Sequence, residues 1–413
     1  MQWFPRTIID CNFDATVTSV DVGHRDRSSE AKTAALRATL ALPMSIAELP
    51  EHIRRPHVRP LQPLPVQAQS KEDGRTTMLV GLRDPSMLTN QMMVVPPQAV
   101  QVIQHFRGER TIEEIAALFK AEAGPLGELA GKMDEFGLLW GPTFERLESE
   151  QKEKLRTDGY FPVGASGMLG TDEATCRNQL DTWLADAEDP ELDSPAIGIV
   201  APHLDYARGW PVYAASYRCF DRAPRPDRII VLGTNHFGLG DGVVVTDLGF
   251  RTPIGPVNSD REIIEKLRTG LGDRLFIDQL DHLPEHSIQL HLPWIQHRWG
   301  NVPLVAALIP DPLGSMIADD GGRVGRDEFV VALCQALDES GGTTYVVASS
   351  DLSHVGPQFG EPVAVNDQRK LEVERQDREL MAKYLTGSSK EFVDACQWTK
   401  NPTRWCSIGN MTL

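Results

Sequence analysis

An α/β fold is predicted by three observations. From Ser194 onward, short β-branched runs alternate with amphipathic helical patterns. Three of those runs end abruptly in polar, histidine-bearing residues. A smaller pattern of strand and helices precedes them as a separate module, as expected of a chain of 413 residues, too long for one ordinary core.

Along the first part, residues 1–70 read as a poorly structured segment. It has a polar stretch at Arg25–Ser29, a Pro-rich extended run, "RRPHVRPLQPLPVQ", and an internal Met44 that leaves the natural start open. Residues 72–142 read as a compact module. "TMLVGL" is a strand, and Val100, Ile103 and Phe106 mark an apolar face. Thr111 and Glu114 form a capping box before Ile112, Ile115, Ala116 and Phe119, and a second amphipathic helix ends at Gly137. Residues 143–193 read as a charged connector.

From 194 to 413 "AIGIVAPH", "DRIIVLGTNH", "DGVVVTD", "VPLVAALIP" and "TTYVVASSD" are strands. "SDREIIEKLRTG" is a helix capped by Ser259 and stopped by Gly270; "SIQLHLPWIQHRW" and "DEFVVALCQALDES" are helices. The alternation calls for a mainly parallel sheet with flanking helices. Ligands bind beyond the carboxyl ends of such strands. There "IGIVAPH" delivers His203, "IIVLGTNH" delivers Asn235 and His236, and "YVVASSDLSH" delivers Asp351, Ser353 and His354. "DHLPEHSIQLH" adds His282, Glu285, His286 and His291 at a helix start. Seven of the eleven histidines lie between 203 and 354, so one polar crevice is expected. Imidazole nitrogens bind iron, copper or zinc, and two of them with one carboxylate and open positions suit non-haem Fe(II). His282, His291 and His297 are expected to be structural.

Other classes are disfavoured. The net charge of −17 argues against nucleic acid as a partner, and residues 75–140 carry six basic and eight acidic side chains. No apolar run approaches a membrane span and no signal peptide is evident, so neither a membrane partner nor export is expected. Six scattered cysteines without a CxxC pair fit a reducing cytoplasm. Hydrolysis by Ser353 and His354 lacks a nucleophile-elbow motif.

The ordered segments "APHLDY", "LGTNHFG", "TPIGPVNSD", "EHSIQLHLPW" and "SSDLSH", spread over about half the chain, resemble the Memo family, also called AmmeMemoRadiSam system protein B. Its members resemble the LigB-type subunit of class III extradiol dioxygenases. The resemblance implies a LigB/Memo-like fold and Fe(II) or copper as cofactor. It also implies His203 and His236 as metal ligands and His286 as general base or acid. Glu285 and Asp351, from the same polar strand-end and helix-start groups, are expected to be catalytic with it. Some members carry Cys at the position of Ser353, so position 353 is expected to be the third ligand place. A serine hydroxyl is a weak donor there, and water or Asp351 is expected to assist. "RWCSIGNMTL" resembles a family segment around a Cys-Gly pair that continues further in other members, so a truncated domain is expected. The order "DPSMLTNQMM…HFRGERTIEEIAALF…LGELAGKMDEFGLL" loosely resembles PqqD-like winged-helix domains that bind leader peptides. Together these resemblances imply an iron-dependent, dioxygenase-like oxidoreductase acting on a small-molecule or peptide substrate, with radical-SAM and AMME-type proteins as partners. A non-catalytic ligand- or peptide-binding module is the alternative.

Overall fold

The computed structural model describes residues 8–11, 18–21, 46–70, 76–89, 91–238, 242–310, 322–359, 361–398 and 405–413. The stretch Arg25–Ser29 and Met44 lie outside them. The chain divides into two compact units, Met1–Lys154 and Leu155–Leu413.

The first unit holds strands β1 (Ile8–Cys11), β2 (Thr18–Asp21), β3 (Gln62–Ser70), β4 (Thr76–Arg83) and β5 (Gln91–Val95), ordered β1-β3-β4-β5-β2. Its helices are α1 (Glu51–Arg54), α2 (Pro97–Ile103), α3 (Ile112–Phe119) and α4 (Ala123–Glu135). The Pro-rich run expected as a linker supplies β3. Pro63 and Pro65 pair with Leu82 and Val80 on one side, while β1 runs alongside only from Gln67, so neither proline removes a ladder donor on that second side. Residues 46–70 are therefore part of this unit. The capping box is present: Thr111 Oγ1 accepts from Glu114 N, and Glu114 returns the bond to Thr111 N. Ile112, Ile115, Ala116, Ala130, Met133, Phe106 and Leu139 form the core beneath the helices.

Helix α5 (Pro142–Asp158) crosses the division between the units. Beyond it, the expected connector is built into the second unit. Strand β6 (Tyr160–Phe161) pairs with a later strand, and helix α6 (Glu173–Asp186) buries Cys176 and Leu180. The charged pattern of this stretch is its solvent face; the buried positions are too few to show as a period.

The remaining strands are β7 (Gly198–Ala201), β8 (Arg228–Thr234), β9 (Val244–Val245), β10 (Gly249–Thr252), β11 (Gly255–Val257), β12 (Leu304–Ile309) and β13 (Thr344–Ser349). The helices are α7 (Tyr206–Arg218), α8 (Arg261–Leu271), α9 (His286–Gln289), α10 (Leu292–Trp299), α11 (Arg326–Ser340), α12 (Asp367–Tyr384), α13 (Ser389–Trp398) and α14 (Ile408–Thr412). The main sheet runs β7-β13-β8-β12-β9, with only β9 antiparallel. Every residue of β12 and nearly all of β8 is buried, as a parallel sheet covered on both faces requires. Helix α8 is capped by Asp260, whose side chain accepts from Ile263 N, and ends at Gly272, which takes φ +72°. Ser259, expected as the cap, instead donates to Leu248 O. The expected stop, Gly270, lies inside the helix.

Candidate metal centre

The strand order decides which side chains can meet. β7, β13 and β8 are adjacent and parallel, so the residues following each emerge side by side: His203 after β7, Asp351 after β13, His236 after β8. A fourth contributor needs α9 to approach the end of β8 closely. Gly233 permits this, because a Cβ there would stand 2.6 Å from Ile288 Cγ1 and 2.7 Å from Ser287 Oγ. Ser287 then clamps the helix to the strand, donating to Thr234 O at 2.9 Å and accepting from Thr234 N at 3.0 Å. His286 is thereby set beside His236, the ring centroids 4.8 Å apart.

One nitrogen from each of His203, His236 and His286 lies within 4.8 Å of the others, an arrangement that could hold a metal ion. Second partners orient two of the rings. Ser349 Oγ donates to Ser287 O at 2.6 Å, so toward His203 Nδ1, 3.0 Å away, it acts as acceptor. His203 therefore carries its proton on Nδ1 and presents the Nε2 lone pair. Burial, then the charge of His236 and His286, holds His203 well below the ordinary imidazole range, so it is neutral. Glu285 accepts from the Nδ1–H of His236 at 3.0 Å, which leaves Nε2 facing the same space. Burial opposes charge on both members of this pair. Nevertheless, the Glu285 carboxylate raises His236 well above its usual range, and His236 draws Glu285 well below its own. Glu285 also accepts from the backbone N–H of His236, His286 and Ser287 at 2.8 Å each, which makes it the hub of the centre. Asp351 Oδ1 accepts from His203 N at 2.9 Å, and its other oxygen stands 3.7 Å from His203 Nε2.

The structure puts position 353 elsewhere. Ser353 donates to Asp377 at 2.5 Å, and the group beside the two histidines is Cys406, with Sγ 3.1 Å from His203 Nε2 and 3.7 Å from His236 Nε2. Position 353 is expected in the third place because some members of the resembling family carry Cys there; Cys406 instead brings a thiol beside the two histidines from a distant segment. Gly409 lets that segment lie against the end of β12, since a Cβ there would stand 2.5 Å from Pro310 O. Asn410 donates to Ser349 O at 2.6 Å and to Thr234 Oγ1 at 3.1 Å. Ser407, next to the thiol, is held in the left-handed region at φ 74°, a strained conformation of the kind that clusters at working sites. Two imidazole nitrogens and a sulfur suit copper, zinc or iron.

His282 and His291 are interior groups: His282 Nε2 donates to Val244 O at 3.2 Å, and His291 Nδ1 meets the Tyr217 hydroxyl at 3.1 Å. His297 pairs with Asp181 at 2.7 Å. Burial pushes His282 down to about 4 and His291 down to about 3. Both titrate near about 6.5 when unfolded, so the unfolded chain binds more protons below that value. Their contribution to stability is complete above about pH 6.5 and is lost as pH falls toward the folded values, on the order of 3 kcal/mol for each residue by pH 4. Urea unfolding at a series of pH values should show this decline, and His291→Phe, which cannot titrate, should show a shallower one. An equal slope in the variant would contradict the assignment.

No helix among the described residues is long and apolar enough to cross a membrane. A family model described as "Memo-like protein" matches residues 165–412. Among curated relatives, a MEMO1 family protein of Pyrobaculum aerophilum is 33% identical over 41% of this chain and 57% of its own length. One of Thermotoga neapolitana is 31% identical over 50% of this chain and 69% of its own. One of Aquifex aeolicus is 23% identical over 78% of this chain and 83% of its own. The chain thus spans little more than half of the Pyrobaculum relative. With its match to more than half of the residues and its strand-end histidines in place, the chain belongs to the Memo-like protein family.

Proposed function

We propose that the second unit is a metal-dependent redox protein, with Fe(II) or copper held by His203 Nε2, His236 Nε2 and Cys406 Sγ, acting on a small or peptide-borne substrate. The observation that carries this reading is the fixed orientation of two imidazoles, His203 buried and His236 open to solvent, toward one thiol. Such an ion supplies Lewis-acid and one-electron chemistry when bound. The chain's own groups do the rest. Ser349 and Glu285 keep the Nδ1 protons of His203 and His236, leaving Nε2 for ligation. His286 is about one-third exposed, with Nδ1 3.2 Å from Glu285, so it can take or give a proton to a substrate at the mouth. Asp351 anchors the His203 backbone and sets its second oxygen 3.7 Å from His203 Nε2. The peptide-borne form of the substrate, with radical-SAM and AMME-type partners, rests on the PqqD-like order of residues 72–142.

Protein purified without air and titrated with Fe(II) and Cu(I) should hold close to one ion. His203→Ala should abolish retention. Equal retention by that variant would overturn the reading and favour a non-catalytic ligand-binding module.

A further inference from the structure

One carboxylate outside the donor set joins two of its supporting segments. Asp377 lies on α12, and its Oδ1 accepts both the indole Nε1–H of Trp405 at 2.6 Å and the hydroxyl of Ser353 at 2.5 Å. Trp405 is the residue before Cys406 and is 2% exposed. Ser353 follows Asp351 by two residues, and Asp351 holds the backbone of His203. One oxygen atom therefore ties the thiol-bearing segment to the loop that leaves β13.

The neighbouring contacts show why this tie matters. Downstream of Cys406 the segment is fixed to the sheet by Gly409 and Asn410. On the other side, the Trp405 ring sits among Leu380, Phe392, Cys396, Ile408 and Met411. An apolar pocket resists withdrawal of a ring but sets its rotation weakly. The indole N–H is the ring's one directional group, and its partner determines the orientation. A rotation of Trp405 would be passed directly to the Cys406 backbone, whose carbonyl accepts a long bond from Ser350 Oγ, at 3.4 Å.

We propose that Asp377 is a positioning residue that sets the Cys406 thiol against His203 and His236 by holding Trp405 and Ser353 on one oxygen. The inference rests on the reading of those three side chains as one donor set.

Co(II) bound to the full chain is a suitable probe, because its sulfur-to-cobalt charge-transfer band reports the thiol and its visible ligand-field bands report all ligands. Asp377→Leu and Trp405→Phe are each expected to lose most of the sulfur band, keep ligand-field bands and weaken Co(II) binding roughly 10–100-fold. The double variant should be no weaker than either single one, and Asp377→Asn, which keeps an acceptor oxygen, should recover most of the sulfur band. A full sulfur band and wild-type affinity in folded Asp377→Leu would overturn the proposal. If that variant does not fold, Trp405→Phe decides by the same two signals. Failure of the donor-set reading looks different: the wild type itself shows no sulfur band, and His203→Ala binds Co(II) as well as wild type does. In that event alkylation of metal-free protein by iodoacetamide, read at Cys406 against exposed Cys334 in the same sample, decides the positioning role. A higher Cys406-to-Cys334 ratio in Asp377→Leu supports it, and an unchanged ratio overturns it.

Discussion

Cys406→Ser is expected to release the bound ion, with Cu(I) affinity falling well beyond the roughly 10–100-fold that loss of an outer hydrogen-bond partner costs. The thiol stands between the two presented nitrogens, 3.1 Å from one and 3.7 Å from the other. The substitution keeps shape and removes only the soft donor, so a change in affinity cannot be assigned to repacking. A serine hydroxyl keeps its proton near neutral pH and offers little to Cu(I) or Fe(II). Ser353→Ala is the matched control: its hydroxyl serves Asp377, and it should cost no more than an outer-shell change. Anaerobic competition against a chelator of known affinity measures both. Should Ser353→Ala lose the ion while Cys406→Ser retains it, the donor set drawn from the geometry is wrong.

The contrast between positions 353 and 406 shows what was legible in the chain. His203 and His236 could be read because each directly follows a β-branched run, and in a parallel sheet the residue after a buried strand emerges at one known edge. His286 could be read from its Glu at a helix start. Cys406 follows no strand. It arrives through a close approach of Gly409 to Pro310 O, a tertiary contact with no local period. The one signal available was the likeness of "RWCSIGNMTL" to a family segment around a Cys-Gly pair, which marks a cysteine without saying where it folds. The expectation for position 353 came from the likeness of "SSDLSH" to members that carry Cys there, and likeness within one segment does not say which segment folds against the histidines. The connector at 143–193 was misjudged for a related reason. Leu155, Phe161, Leu169, Cys176 and Leu180 are buried, but they are spread among charged residues and divided over a helix, a two-residue strand, a short 3-10 helix (Ala165–Leu169) and a second α-helix, so neither period accumulates. The cap of α8 shows the smaller scale: Ser259 and Asp260 are adjacent candidates, and only the path of the chain decides which side chain faces the first turn.

Glu285→Ala is expected to destabilise the metal-free protein by at least about 1–3 kcal/mol, the cost of leaving a buried donor unsatisfied. The carboxylate is 1% exposed and receives three backbone N–H groups besides the His236 ring. Its loss leaves those donors turned toward a cavity and His236 without its counter-charge. Glu285→Gln is no conservative change. Oε1 takes the His286 and Ser287 N–H groups and Oε2 takes that of His236, so an amide NH₂ at either place confronts a donor with a donor. The pH dependence carries a second signature. Glu285 has a depressed folded value, so its share of stability is present above the ordinary carboxylate range and is lost in acid. His236 has a raised folded value, so its share is full below about pH 6.5 and is lost as pH rises toward that folded value. The stability gap between wild type and Glu285→Gln should therefore be widest at about pH 5–6.5 and narrow on either side. Urea unfolding across that range, with the His236 ring followed by NMR, measures both effects. A gap that stays constant from pH 5 to pH 9 would show that the backbone donors, not the imidazole, are what Glu285 holds in place.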